Sequence, residues 1–323
     1  MPSQRDDWFI SLPESPLRKL ILSNPLAPGD VLVSTGAIRD LHLNYPGEYV
    51  TDIRCPSGCE QIFAHNPYIT KIADGDPEAT RIQLDYEGIH RSGKSGLPFV
   101  HAHAETLAER VGRPIKPTSL LPDIFLSQDE KLWPSPVFNE YGYAGKFWII
   151  NAGVKNDYTL KYYHRYQEVV NLLKERIQFV QVGQLEHRHP PLEGVLDMRG
   201  KTDLRQLFRL SYHAEGSVNA VSLQMVIMAS LQKPCVVVSG GREPVRWQLS
   251  PHHQFLYVNG AIECARYDGC WKSKQSECVN LLEGGIPLCM EMIRPEEVAR
   301  AVEKYYQGKV LEYQTKEELA CLV

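Results

Sequence analysis

Apolar positions along the chain fall into two successive alternating series of short runs and amphipathic stretches. Leu17-Arg18-Lys19-Leu20-Ile21-Leu22 predicts a buried strand and the run Pro25–Asp30 a turn. Val31, Leu32, Ala37, Ile38, Leu41 and Leu43 then recur at near-helical spacing until Pro46-Gly47 ends the helix. Tyr49–Arg54 predicts a second strand, residues 57–65 a short helix, residues 81–85 a strand, Phe99–Val111 a helix and Leu121–Leu126 another strand. Ser92-Gly93-Lys94-Ser95-Gly96 lacks the leading glycine of a phosphate loop and predicts an ordinary loop.

Residues 127–145, with Pro134, Pro136, Gly142 and Gly145, predict a boundary that divides the chain into 1–135 and 136–323. The second series opens with a strand at Phe147–Ile150 running into Asn151-Ala152-Gly153. A helix at 166–174, a strand at 177–182 closed by Gly183, and helices at Asp203–Ser211 and Ser222–Leu231 follow. Cys235–Val238 predicts a strand entering Gly240-Gly241, and residues 295–306 a closing helix with Val298, Ala301, Val302 and Tyr305 on one face. The tail 307–323 is charged and is left between a last helix and disorder. Strands alternating with helices predict parallel α/β sheets, here two facing Rossmann-like domains with a cleft between them.

A length of 323 residues suits two domains, and 43% hydrophobic residues is ample for two cores. The formal charge, 35 − 39 = −4, gives no push toward nucleic acid or anionic membrane. No apolar run approaches a membrane span, and the polar, acidic start Met-Pro-Ser-Gln-Arg-Asp-Asp-Trp is wrong for a secretory signal, so a cytoplasmic protein is expected.

Cysteine changes the picture. Four of the eight, Cys264, Cys270, Cys278 and Cys289, crowd into a polar stretch punctuated by Gly269, Gly284 and Gly285. Four thiolates close a tetrahedral metal site and leave no open position, so the expected ion is a structural zinc or iron within a knob at 260–292. Two structural disulfides are the rival reading, which the expected redox compartment disfavours. Trp271 and Lys272 lie in the first loop of the knob. Cys55 and Cys59 lack further ligands and are expected as buried free thiols. His101 and His103, two apart on one helix, point to different faces and cannot chelate together; His187, His189, His252 and His253 are expected at the surface or along the cleft.

Open α/β sheets bind ligands beyond the C-terminal ends of their strands, which selects Pro28-Gly29-Asp30, Asn151 to Lys161, Gly183-Gln184 and Gly240-Gly241-Arg242-Glu243-Pro244. Asp30 at a helix start is at least an N-cap. Lys161, with Lys155 as a competitor and Thr159 beside it, offers cationic charge. Gly240, Gly241 and Arg242 offer close backbone approach and a guanidinium, or a plain strand-to-helix turn.

The run Pro-Gly-Asp-Val-Leu-Val-Ser-Thr-Gly-Ala-Ile-Arg-Asp-Leu-His at 28–42, with Tyr-Pro-Gly at 45–47 and His-Asn-Pro-Tyr-Ile at 65–69, resembles the start of the ADP-heptose:lipopolysaccharide heptosyltransferases, glycosyltransferase family 9. Lys161, the Ser222 helix leading to Lys233-Pro234 and the following Gly-rich loop fit the same order, so the resemblance covers most of the chain. It implies the GT-B architecture and an inverting transfer from a nucleotide-sugar donor, most closely ADP-heptose, with no catalytic metal. It further implies Asp30 as general base, and Lys161, Thr159, Ser222, Gly240, Gly241 and Arg242 around the donor. The cysteine cluster resembles the insertion of a cytoplasmic branch to which the iron-containing autotransporter heptosyltransferases belong.

One departure stands out. Where many members carry Asp-Ser/Thr-Gly-x-x-His, this chain has Asn219-Ala220-Val221-Ser222-Leu223-Gln224-Met225-Val226, of which only Ser222 matches. A degenerate protein that binds a nucleotide or a partner without catalysis therefore stands as a rival, as does a nucleotide-sugar epimerase. The acceptor (glycan, protein or small molecule), the choice of zinc or iron, and the oligomeric state are open at this stage.

Overall fold

In a computed structural model, residues 17–84, 97–155, 159–248, 250–266, 269–270 and 278–306 are described. The arm 1–16, Ser92–Gly96, Trp271, Lys272 and the tail 307–323 lie outside them.

The chain forms, in order, β1 (Arg18–Ser23), α1 (Pro28–Asn44), β2 (Tyr49–Arg54), β3 (Ala79–Gln83), α2 (Phe99–Val111), α3 (Gln128–Leu132), α4 (Pro136–Tyr141), β4 (Trp148–Asn151), α5 (Tyr166–Leu173), β5 (Phe179–Gln181), β6 (Leu196–Asp197), α6 (Leu204–His213), β7 (Gly216–Ala220), α7 (Leu223–Ser230), β8 (Cys235–Gly240), β9 (His253–Tyr257), α8 (Leu288–Glu291) and α9 (Pro295–Tyr306). Short 3₁₀ turns lie between several of these elements. Two parallel sheets result, one in the order β2-β1-β3 and one in the order β6-β5-β4-β7-β8-β9.

Alternation along the central strands supplies a core on both faces of the second sheet. Trp148 and Ile150 face a layer containing Tyr166, Val170 and Val302, while Phe147 and Ile149 face another with Val137 and Leu210. In α9 Val298, Ala301, Val302 and Tyr305 are buried, the face expected from their spacing. Asp203 caps α6 through a reciprocal pair of hydrogen bonds with Gln206.

A third core joins the two sheets. Met225, Val226 and Trp247 from the second half pack with Val33, Phe99 and Val100 from the first. Phe99 and Trp247 lie 5.3 Å apart, centroid to centroid. A crevice of ≈ 30 Å³ lies along this seam.

Three expectations need correction. Residues 121–126 form no strand; the segment lies along α1, where Arg39 donates to the Leu121 carbonyl at 2.8 Å and Thr35 Oγ1 accepts from the Asp123 amide at 2.7 Å. Side chains satisfy the backbone there, so no ladder is needed. Strand β7 was unforeseen, because Gly216-Ser217-Val218-Asn219-Ala220 is poor in apolar residues. Ser217 and Asn219 are fully buried yet bonded to each other at 2.8 Å, and a Cβ on Gly216 would stand 2.6 Å from the Trp148 ring. Asp30 is no N-cap: Ala27 holds that position without a side-chain bond, and Asp30 sits inside the first turn of α1.

Beside the seam, Arg205 at the start of α6 donates to both carboxylate oxygens of buried Glu130 in α3 and to the Phe125 carbonyl, while its own amide donates to Gln61 Oε1 at 2.8 Å. Burial alone would raise the Glu130 carboxyl, but the bonds from Arg205 and from the Ser127 amide overcome it and hold it at about 2. A depressed carboxylate stabilises the fold above its unfolded value and loses that contribution as pH falls through its folded value. Denaturant unfolding from pH 6 to pH 2 should therefore show a progressive loss below about pH 4.5, on the order of 3 kcal/mol. Glu130→Gln should be less stable at pH 6 and should show a correspondingly shallower loss over the same window.

Candidate functional site

Each sheet reverses its winding direction at its first strand. In the first sheet β2 and β3 lie on opposite sides of β1, and in the second β5 and β7 lie on opposite sides of β4. Ligands in open parallel sheets bind beyond such points. The turn after β1 carries Pro28-Gly29-Asp30, and beyond β4 and β7 lie Ala152-Gly153 and Val221-Ser222. The two points meet: a Cβ on Gly29 would be 3.6 Å from the Leu223 Cα at the start of α7. Half-buried Asp30 follows directly in the chain.

Ser222 is the N-cap residue of α7, but its side chain makes no capping bond, and its Oγ is buried without a hydrogen-bond partner among the described residues. A hydroxyl in that condition at a helix start is a ready donor to an anionic oxygen. The neighbouring Leu223, Gln224, Met225 and Val226 face elsewhere in role. Met225 and Val226 fill the seam, and Gln224 is fully buried with its amide on Ser211 Oγ at 3.0 Å.

Lys161 ends a 3₁₀ turn that begins at Thr159. Its ammonium contacts Glu243 Oε1 at 2.6 Å, and Arg242 Nη1 reaches the same oxygen at 2.9 Å. Lys161 and Arg242, 81 positions apart (242 − 161), thus converge on one buried carboxylate. Glu243 lay within a loop chosen from the sequence, but its role was not foreseen. Lys155, the competitor, is exposed.

His189, expected at the surface or along the cleft, is half-buried. Its ring occupies the space beside Gly153 and Gly183 at the ends of β4 and β5, where any Cβ would clash with it. Burial, helped by the nearby His187 and Arg199 charges, pushes its imidazole down to about 4, so it is neutral at pH 7. The signal available was a strand-closing glycine near a histidine, which is weak alone.

Gly240 and Gly241 are enclosed by the cysteine-rich segment. A Cβ on Gly240 (φ +62°) would stand 2.9 Å from Met290 Sδ and 3.4 Å from Cys289 Sγ. One on Gly241 would stand 2.6 Å from the Ala265 Cβ and 3.3 Å from that of Cys289. The Cys270 amide donates to the Gly241 carbonyl at 3.1 Å, and Gly269 (φ +71°) lies so close to the Arg242 carbonyl that a Cβ would approach it to 2.5 Å. These contacts supply a packing reason for both glycines, beyond approach to a nucleotide.

The seven cysteines among the described residues are free thiols. Cys289 lies within electrostatic reach of Cys270, Cys278 and Cys264; burial first, then those neighbours, push its thiol up to about 11 against a bond from the Gly241 amide. Asn280 Nδ2 donates to Cys264 Sγ at 3.1 Å. Among the described residues no three His, Cys, Asp or Glu side chains stand together as a metal cage. A cavity of ≈ 440 Å³ lies between β9 and α9, and its lining includes none of the residues singled out for chemistry. Among the described residues no helix is long and apolar enough to cross a membrane.

No family model matches the chain, and no curated protein matches it in sequence. Solved structures match it in fold. Escherichia coli ADP-heptose lipopolysaccharide heptosyltransferase II aligns at 17% identity and TM-score 0.59, over 92% of this chain and 100% of that one. A glycosyl transferase family 9 protein of Veillonella parvula aligns at 14% identity and TM-score 0.60, over 91% and 97%. The iron-containing dodecameric glycosyltransferase TibC of enterotoxigenic E. coli aligns at 15% identity and TM-score 0.64, over 90% and 77%. At these identities the likeness carries the fold: the chain has the GT-B architecture.

The enclosure of Gly241 makes a specific prediction. Gly241→Ala drives a methyl group into Ala265, whose Cβ cannot rotate away, and should lower unfolding free energy by about 1–3 kcal/mol in a denaturant titration. Gly47→Ala, at an open turn where only the positive φ of +74° is strained, should cost less.

Proposed function

We propose that the chain is an inverting glycosyltransferase that needs no catalytic metal. It would move a heptose-like sugar from a nucleotide-sugar donor, ADP-heptose being the leading candidate, to an acceptor hydroxyl. The observation that carries this reading is the approach of the α1 start, with Asp30, to the α7 start within a GT-B frame, with the Lys161–Glu243–Arg242 contacts made at the loop after β8, the strand paired to β7.

In this reading the Asp30 carboxylate accepts the proton of the acceptor hydroxyl as its oxygen attacks the anomeric carbon. The bond from that carbon to the donor phosphate oxygen breaks, and the nucleoside diphosphate leaves with the bonding pair. Lys161 and Arg242 stabilise the charge that grows on the departing phosphate, and the Ser222 hydroxyl donates to a phosphate oxygen. Thr159, Gly240 and Gly241 complete the donor side of the proposal. The acceptor is a glycan, a protein or a small molecule.

The four cysteines are proposed as the ligands of a structural zinc or iron. Their chemistry suits either ion; Cys264, Cys270 and Cys278 lie within electrostatic reach of Cys289, while among the described residues no three of them stand together as a metal cage. Such an ion would hold the knob around Gly240–Arg242 and supply no step of the transfer. The solved neighbour TibC is described as iron-containing and dodecameric, which motivates assaying iron and oligomeric state together.

A second reading has its own observation. Val221, Met225 and Val226 are buried where the resembling family carries or flanks its Asp and His, so a nucleotide-binding protein without turnover is the rival.

Two measurements decide these points. Incubation with ADP-heptose and a set of acceptors should give transfer that Asp30→Asn lowers by about 10²-fold or more while the protein stays folded; undiminished transfer removes Asp30 from the role of base, and binding without any transfer favours the rival. Elemental analysis of protein purified without added metal should find about one equivalent of zinc plus iron, reduced in Cys289→Ser. Less than about half an equivalent counts against the site.

A further inference from the structure

Glu243 is the least exposed charged residue at the site, at 2%. One of its oxygens is shared by the Lys161 ammonium at 2.6 Å and Arg242 Nη1 at 2.9 Å, and Gln248 Nε2 lies 3.5 Å from the other. The two sides of this contact are fixed very differently. The backbone leading into Glu243 is clamped: Gly241 and Arg242 are pinned by the Cys270 amide, the Cys289 thiol and the close-packed Gly269. Lys161 lies in a segment set by the buried Leu160 and Tyr163, and its ammonium sits on a flexible four-carbon stem.

We infer that Glu243 is a positioning residue: it holds the Lys161 ammonium at a fixed point and thereby preorganises the cationic group that receives a nucleoside diphosphate. This rests on the reading of Lys161 as a diphosphate contact. A lysine has three N–H donors, so one bond to Glu243 leaves two for phosphate oxygens. A lysine tethered by a glutamate is also how protein kinases aim an ammonium at ATP phosphates, on an unrelated fold. Removing the carboxylate would remove some repulsion toward the diphosphate, but it would also free a long side chain to leave the site. The buried, shared geometry makes loss of position the larger effect.

The test is a double-mutant cycle read by calorimetric titration of ADP, UDP and GDP into the full chain. The tightest-binding nucleotide of the wild type is then titrated into Lys161→Met, Glu243→Gln and the double variant. Glu243→Gln should weaken binding about five- to tenfold alone and have no further effect in the Lys161→Met background. If Lys161→Met weakens binding while Glu243→Gln leaves it unchanged or tightens it, the positioning role is wrong and the Lys161 reading stands. Additive losses also overturn the role, because a merely structural glutamate would weaken both backgrounds alike. If Lys161→Met has no effect, or no nucleotide binds the wild type, the reading of Lys161 fails and the inference falls with it. Thermal melts accompany each variant. Should Glu243→Gln fail to fold, Glu243→Asp serves instead: it keeps the charge but withdraws it by one methylene. It should weaken binding several-fold only when Lys161 is present, and unchanged binding would overturn the proposal.

Discussion

The apolar seam between the two halves is the constraint on which the site depends. Met225, Val226 and Trp247 close against Val33, Phe99 and Val100, so α7 crosses α1 at a set height and the two helix starts touch at Gly29 and Leu223. Hydrophobic burial has no direction of its own, but close packing of unlike side chains admits few alternative offsets. Gly29 and Leu223, the chain neighbours of Asp30 and Ser222, are thereby brought together from positions far apart in sequence. The seam also bears on positions 221 and 226, where the resemblance noted in the sequence would place an Asp and a His. A carboxylate at 221 or an imidazole at 226 would lie at or in this apolar contact, where desolvation is costly.

Charge then has to come from elsewhere. Arg242 and Glu243 stand on the loop after β8, which packs against the cysteine-rich knob, and Lys161 reaches them from the 3₁₀ turn that begins at Thr159. Neither Gly240 nor Gly241 tolerates a Cβ, because Met290, Cys289 and Ala265 already fill the space. Knob and loop are therefore one packed unit. Disturbing the thiols would shift Arg242 and Glu243 through backbone contacts without any of the four cysteines touching a ligand.

Much of this was legible in sequence, for identifiable reasons. Amphipathic helices such as α9 declare themselves, since four apolar residues at helical spacing have one way to be buried together. Strand β7 did not, because a central strand flanked by two others can bury serine and asparagine once they bond to each other and to the backbone. Residues 121–126 misled in the opposite sense: an apolar run lies extended without pairing because Arg39 and Thr35 satisfy its backbone from α1. At the site, strand-end loops were chosen well by the general rule for parallel sheets, yet that rule says nothing of partners. The pairing of Lys161 with Glu243 is a tertiary fact with no local periodicity behind it.

Ser222 shows how the same physics reads in reverse. An unpartnered buried hydroxyl costs free energy unless something supplies the missing bond, on the order of 1–3 kcal/mol. At an ordinary helix start the serine would bond back to the amide two or three residues on, and here it does not. The start of α7 is thus left with its own amides uncapped by that side chain, its hydroxyl unspent, and a cationic group nearby on the β8 loop. Each of these features is unfavourable or neutral in the protein alone. In the proposed reading, an arriving anionic oxygen would satisfy the hydroxyl and the helix-start amides together.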